Sequence, residues 1–123
     1  MDANKDFNSW RLYAKADLDT ANLLFNTSKN YHITVYHAHQ AIEKALKSFL
    51  ISKSLKFPFS HDLIALLKSS LQAEDLSSYL EDFSFIMDLY SSTRYPQGDM
   101  ITREDAKKSI SIANKICKKL NID

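Results

Sequence analysis

One glycine and two prolines among 123 residues restrict the fold of this chain more than any other feature. A typical protein uses about 7% glycine and about 5% proline. Folds built from several β-hairpins need glycine at their tight turns, and loops that cradle phosphate with backbone amides need several glycines close together. Because both residues are so scarce, we expect a chain made of long helices.

Size and charge restrict what such a helical chain can do. A chain of 123 residues and 14.1 kDa is enough for one domain, here residues 1–123. Its 16 Lys and Arg residues nearly balance its 15 Asp and Glu residues, which leaves a net charge of +1. This charge predicts no broad positive surface that would bind nucleic acid or an anionic membrane. No apolar run approaches the roughly 18 residues that a membrane span needs.

The cysteine content and the first residues indicate a cellular compartment. Cys117 is the only cysteine, which excludes an intrachain disulfide and a multi-cysteine metal site. An unpaired thiol is typical of a reducing interior. The first residues, Met-Asp-Ala-Asn-Lys-Asp, lack the apolar core of a secretory signal. We therefore expect a soluble cytoplasmic protein, and we expect no cofactor.

The spacing of apolar residues predicts five helices. They cover about residues 6–27, 31–54, a short segment capped by Ser60, about residues 75–93, and a last helix capped by Thr102. His61 and Asp62 would fall in the first turn of the short helix, and Asp105 would complete a capping box with Thr102. Short connections between helices favour an all-α, up-and-down antiparallel bundle of about five helices.

The second predicted helix has two distinct faces. Its apolar face includes alanines that allow another helix to approach closely. The opposite face is a mixed polar and aromatic strip made of Tyr36, His39, Gln40, Glu43 and Lys47. The sequence leaves open whether this strip faces solvent or forms a site.

The fourth predicted helix is apolar on more than one side. A heptad-like stripe runs from Leu76 to Tyr90, while Phe85 and Leu89 lie off that stripe. A bundle of this size has little room to enclose a helix completely, so the second apolar side predicts a partner surface. We expect a homodimer with Phe85 and Leu89 in its interface.

Three motifs together suggest a family. Residues 37–47 read His-Ala-His-Gln-Ala-Ile-Glu-Lys-Ala-Leu-Lys, residues 60–63 read Ser-His-Asp-Leu, and residues 90–96 read Tyr-Ser-Ser-Thr-Arg-Tyr-Pro. In this order, and over nearly the whole chain, the combination resembles the HEPN domain (higher eukaryotes and prokaryotes nucleotide-binding). The resemblance implies a helical bundle that commonly dimerises and places two copies of one loop region across a shared cleft.

The resemblance also implies a choice between binding and catalysis. Many HEPN proteins are encoded beside a minimal nucleotidyltransferase (MNT) in a toxin–antitoxin module. Many active members are metal-independent endoribonucleases with an arginine followed, after four to six residues, by a histidine. Counted from Arg94, the histidine position is occupied by Asp99, Met100 or Ile101, so that motif is absent. For members of the Arg-Tyr-Pro type, nucleotide binding or a partner role is the expectation.

Arg94 is the leading candidate for contact with a phosphate. Its planar guanidinium suits a bidentate phosphate contact, and backbone N–H groups at the start of the helix after Thr102 favour an anion. The candidate binding residues on the second helix and beside Arg94 are Gln40, Glu43, Lys44, Lys47 and Tyr95. The structural alternatives are that Arg94 caps its own helix or pairs with Glu43, and that Glu43 and Lys47 form an ordinary i, i+4 pair on a solvated face.

These residues support three function hypotheses. The first is a dimeric binding module, without its own catalysis, for a nucleotide or nucleic-acid phosphate, for an MNT-type partner, or for both. The second is a metal-independent endoribonuclease in which His61 or Tyr95 moves protons and Arg94 stabilises the phosphate charge. The third is a purely structural interaction protein. In the non-catalytic alternatives, His61 orients its loop by hydrogen bonding to the backbone.

The histidines of the second helix do not predict a metal site. His37 and His39 are two positions apart, so they point about 200° away from one another around the helix axis. His32 and His39 share a face but lie roughly 10 Å apart along it. We therefore assign no metal ligands.

Overall fold

Five α-helices build the computed structural model, in which we describe residues 3–58, 60–93 and 100–122, with side chains from residue 6 onward. The helices are α1 (Ala3–Thr27), α2 (Tyr31–Ser52), α3 (Leu63–Ser70), α4 (Leu80–Ser92) and α5 (Arg103–Lys119). A short 3₁₀ turn, Ser77–Tyr79, leads into α4. The described residues contain no β-strand, so the predicted all-α bundle is confirmed.

Helix α2 is the centre of the bundle, because it packs against each of the other four helices. Its longest neighbour is α1, which runs antiparallel to it: Phe25 near the end of α1 meets Tyr31 at the start of α2. Alanines at the α1–α2 contact are completely buried and let the two helix axes approach closely, as the sequence predicts. These alanines are Ala14, Ala21, Ala38, Ala41 and Ala45.

The polar strip of α2, which the sequence left open between solvent and site, is largely buried. His39, Gln40, Glu43 and Lys47 are buried, and only Tyr36 is exposed, at 41%. Helices α3 and α4 both pack against α2, and the Trp10 ring of α1 lies over the Lys47 ammonium. Glu43 and Lys47 therefore do not form the solvated surface pair that their spacing alone indicates.

The start of α3 differs from the prediction. Asp62, and not Ser60, is the N-cap: its carboxylate accepts hydrogen bonds from the backbone N–H groups of Ile64 and Ala65 at 2.9 and 3.2 Å. A carboxylate at this position satisfies unpaired N–H groups and also interacts favourably with the helix dipole. Ser60 instead accepts a hydrogen bond from the Asp62 N–H. As a result His61 precedes the helix and does not lie in its first turn.

Two other helix boundaries differ from those predicted from the sequence, and one agrees with its prediction. The Asp75 side chain accepts hydrogen bonds from the N–H and hydroxyl of Ser77, which forms a local turn and delays α4 until Leu80. Helix α2 ends at Ser52, and Ser54 has a positive φ of 56°. At the start of α5, Thr102 and Asp105 form the predicted capping box, each side chain bonded to the other's backbone N–H.

The described helices include none that is both long and apolar enough to cross a membrane.

Cys117 provides a prediction about reactivity. Its thiol is buried among core residues of α5, and burial raises its pKa to about 12, against a smaller opposing effect of the Lys15 charge. Because only the thiolate reacts with disulfide reagents, we expect Ellman's reagent to label the native protein at least 100-fold more slowly than the unfolded chain. The unfolded chain also loses its thiol proton first, so this group lowers folding stability as pH rises from about 9 towards about 12. Equal labelling rates in buffer and in guanidinium would contradict the burial.

Candidate functional site

A buried carboxylate on α2 organises the polar cluster of the bundle. Glu43 Oε2 accepts a hydrogen bond from Lys47 Nζ at 3.1 Å, and Glu43 Oε1 lies 2.9 Å from His61 Nδ1. The Glu43 side chain is only 3% exposed and that of Lys47 only 9%. A charge removed from water must be compensated by a partner and by hydrogen bonds. Glu43 and Lys47 supply this compensation for each other.

Three separate elements position this cluster. Lys47 follows Glu43 by one helical turn, and its ammonium lies 5.1 Å from the centre of the Trp10 ring on α1, a cation–π distance. His61 comes from the turn before α3, which the Ser60 and Asp62 hydrogen bonds hold in place. The contact of Trp10 with Lys47 becomes visible only when α1 and α2 are paired.

His61 is the exposed member of the cluster. Its side chain is 68% exposed although its partner carboxylate is buried. An ionised carboxylate only accepts hydrogen bonds, so Nδ1 donates to Glu43 and the opposite ring nitrogen, Nε2, is the one available to solvent or a ligand. A carboxylate that orients an imidazole in this way fixes both its tautomer and its direction.

A series of stacked rings lies on the same side of α2. The rings of His39 and Tyr90 stack with centroids 3.8 Å apart, and Tyr36 stacks on Tyr90 at 5.9 Å. Gln40 Nε2 lies 3.5 Å from the Tyr90 hydroxyl, a long contact. Tyr90 is buried, as its place on the apolar stripe of α4 predicts. The stack joins the end of α4 to the polar strip of α2.

The structure brings some predicted binding residues together and separates another from them. Gln40, Glu43 and Lys47 lie along one strip of α2, beside Tyr90 and His61. Lys44 points elsewhere: its ammonium pairs with Asp17 of α1, which also accepts a hydrogen bond from His37 Nδ1 at 2.8 Å. Asp17 and His37 are polar partners that the sequence analysis did not connect, because they lie 20 residues apart.

Arg94 and Tyr95 lie outside the described residues, so the phosphate contact expected of them stays a prediction. The structure describes the residues on either side of this segment. Helix α4 ends at Ser92, and the Thr93 hydroxyl donates to the Tyr90 carbonyl at 2.7 Å. After residue 99 the chain enters α5 through the Thr102 cap. Arg94 thus follows Tyr90 by four positions.

Phe85 and Leu89, the predicted dimer-interface residues, are both half-buried in the single chain. Phe85 packs against the core, and the Lys108 ammonium lies 4.2 Å from its ring centroid. Part of each side chain therefore stays available to a second copy. The interface itself remains a prediction.

A family model and solved structures of other proteins match this chain. A family model described as the HEPN domain matches residues 7–122. The solved structure of TT1696 from Thermus thermophilus is similar with a TM-score of 0.82 and 23% identity, over 94% of this chain and 95% of that one. The structure of ST0689, an archaeal HEPN homologue, is similar with a TM-score of 0.76 and 22% identity, over 94% of each chain.

No curated protein sequence shows a significant match. The two solved structures are less than 25% identical to this chain, so their likeness shows a common fold. The family model is more specific, because it spans residues 7–122 and thus all the motifs from residue 37 to residue 96. On this evidence the chain belongs to the HEPN domain family.

Proposed function

We propose that this protein is a dimeric HEPN-type binding module that holds a phosphate group of a nucleotide or nucleic acid next to Arg94. The observation that carries the proposal is the exposed imidazole of His61, held at 2.9 Å by the buried carboxylate of Glu43. When both of its nitrogens carry a proton, such an imidazole donates a hydrogen bond from Nε2 to an anion while Nδ1 stays on Glu43. The exposed ring of Tyr36, stacked on Tyr90 near the end of α4, supports the same assignment, because it offers an aromatic face on which a base can stack.

The test is a thermal-stability assay with a panel of nucleotides and short oligoribonucleotides. A ligand at 100 times its dissociation constant stabilises the folded state by about 2.7 kcal/mol, which raises the melting temperature by on the order of 10 °C for a domain of this size. We expect Arg94→Ala to abolish the rise and the exposed control Lys56→Ala to keep it. An unchanged rise in Arg94→Ala, or no rise with any member of the panel, would contradict the proposal.

A second candidate function is metal-independent RNA cleavage, and the Glu43–His61 contact favours it as well. A carboxylate-oriented imidazole is a standard arrangement for moving a proton, with Arg94 to stabilise phosphate charge and Tyr95 as an alternative proton carrier. This function predicts cleavage of RNA in the presence of a chelator, lost in both His61→Ala and Arg94→Ala. If a varied set of RNAs remains intact, the binding role stands without catalysis.

The partner proposals concern a second copy and an MNT-type nucleotidyltransferase, as in a toxin–antitoxin-like module. The half-buried Phe85 and Leu89 on α4 support the homodimer. Sedimentation at micromolar concentration should give twice the 14.1 kDa chain mass, and Leu89→Glu should return it to the single-chain value. A native mass near 14.1 kDa would overturn this assignment of Phe85 and Leu89. Co-expression with a nucleotidyltransferase encoded beside the gene then tests whether the two proteins co-purify.

A further inference from the structure

The outer face of α5 carries a row of lysines. After Glu104 and Asp105 in its first turn, the helix has no further acidic residue. The exposed lysines that follow are Lys107, Lys108, Lys115, Lys118 and Lys119. At 100° and 1.5 Å per residue, they lie within an arc of about 120° and extend over about 18 Å of the helix. This face is strongly positive although the net charge of the whole chain is only +1.

Most of this positive charge is left without an acidic partner. At the end of the row, Lys119 Nζ lies 3.1 Å from Glu74 Oε1. Within the described part of the chain, Lys107, Lys115 and Lys118 take part in no ion pair. Exposed charges of one sign attract a partner of the opposite sign and direct it to its place on the surface.

A cavity of about 280 Å³ lies beside the row, where the end of α5 meets α1. Its apolar lining residues are Leu18, Cys117 and Ile122, and its polar ones are Asn114, Lys118 and Asn121. A cavity of this size suits one aliphatic side chain, and a side chain seated in a pocket is the usual anchor of a protein–protein contact. Because Lys118 belongs to both, the cavity and the lysine row form one surface.

Asn114 adds groups that can bind a peptide backbone. Its side chain and that of Asn22 on α1 exchange hydrogen bonds of 3.2 and 3.3 Å, which join the two helices at the cavity. A side-chain amide has two N–H donors and two acceptor lone pairs. Asn114, which is exposed, therefore keeps one donor and one acceptor for a peptide group.

The residue types on this face favour a protein over a nucleic acid. Nucleic-acid chains are commonly bound by arginine, whose fork matches a phosphate group, and by aromatic rings on which bases stack. Residues 106–119 contain neither an arginine nor an aromatic residue. An ammonium group is a compact point charge, which is sufficient to bind the carboxylate of an aspartate or glutamate.

We infer that this face of α5 binds an acidic segment of another protein, with carboxylates on the lysine row and one aliphatic side chain in the cavity. The surface shares no residue with the Glu43 cluster and does not include Arg94. The inference therefore holds whether or not Arg94 binds phosphate.

Fluorescence anisotropy of the full chain with synthetic peptides tests the inference. The probe is a labelled glutamate-rich peptide of about 14 residues, long enough to match the lysine row, with one central leucine. We expect it to bind at least tenfold more tightly than a peptide with glutamine at every glutamate position, and several-fold more tightly than one with alanine in place of leucine. Its affinity should also fall as salt is added, because exposed charges are screened.

Charge reversal on α5 identifies the surface. Lys115→Glu with Lys118→Glu should weaken binding of the leucine peptide at least tenfold. The matched control reverses two exposed lysines after α2, Lys53→Glu with Lys56→Glu, and should bind the peptide as the unchanged protein does. If the α5 variant does not fold, Lys115→Gln with Lys118→Gln removes the same charges, and several-fold weaker binding is expected.

Chemical shifts provide a measurement that needs no substitution in the protein. The leucine peptide should shift the amides of residues 107–119 and the methyl signals of Leu18 and Ile122, and the alanine peptide should leave those methyl signals unmoved. Equal binding of the glutamine peptide, or unchanged affinity in the α5 variants, would overturn the inference. An oligoribonucleotide that binds this face more tightly than the peptide would overturn it in favour of nucleic acid. A lower sedimentation mass in the α5 variants would overturn it in favour of a second copy of the chain. Arg94→Ala should leave peptide binding unchanged, so the two proposals can fail separately.

Discussion

Replacing Glu43 with alanine should lower the free energy of unfolding by about 3–5 kcal/mol, among the largest effects of any single substitution in this chain. The reason is the ammonium of Lys47, whose side chain is only 9% exposed and whose carboxylate partner would be lost. An unpaired buried charge costs far more than the loss of an exposed ion pair, for which about 0–1 kcal/mol is usual. Urea unfolding followed by circular dichroism measures the change.

Two further variants separate the buried charge from other causes of instability. Adding Lys47→Met to Glu43→Ala should recover at least half of the loss, because the double variant has no unpaired ammonium. The exposed Glu81 of α4 serves as the matched control, and Glu81→Ala should change the free energy by less than about 0.5 kcal/mol. A Glu43→Ala loss no larger than that of the Glu81 control would show that the pair is solvated.

Replacing Phe83 with alanine should cost a similar amount, about 3–5 kcal/mol, for a different physical reason. Phe83 is the largest completely buried side chain of the bundle among the described residues. Its removal from α4 leaves a cavity in the core between helices whose backbones cannot fully close it. Phe85, two positions later, is half-buried, and its loss should cost clearly less in the same unfolding measurement. Equal costs at the two positions would contradict the assignment of the core face of α4.

The fold could be predicted from the sequence because each helix carries its own pattern of apolar residues. In α5, for example, the apolar residues Ile110, Ala113 and Cys117 recur at steps of three and four and are all buried, and Thr102 with Asp105 marks the start of the helix. The first residue of a helix is harder to predict from the sequence where two neighbouring residues could each act as the N-cap. Ser60 and Asp62 are both good caps, and the carboxylate of Asp62 is the one that takes the helix N–H groups.

The polar strip of α2 could not be assigned from the sequence, because burial depends on which elements pack against it. Periodicity identifies Glu43 and Lys47 as neighbours but does not show that His61, before α3, and Trp10, on α1, lie against them. The contact of Glu43 with His61 joins residues 18 positions apart, across the turn that precedes α3. The pair of Lys44 with Asp17 likewise depends on the pairing of two helices, and it directs Lys44 away from Gln40, Glu43 and Lys47.

Binding of phosphate by Arg94 should appear in the guanidinium resonances of the protein. The chain has only three arginines, Arg11, Arg94 and Arg103, so their Nε–H signals can be assigned by single substitutions to lysine. We predict that a nucleotide or oligoribonucleotide that binds the protein shifts the Arg94 signal in a saturable way. An Arg94 signal that does not move while the protein becomes saturated with that ligand would show that Arg94 does not bind the phosphate.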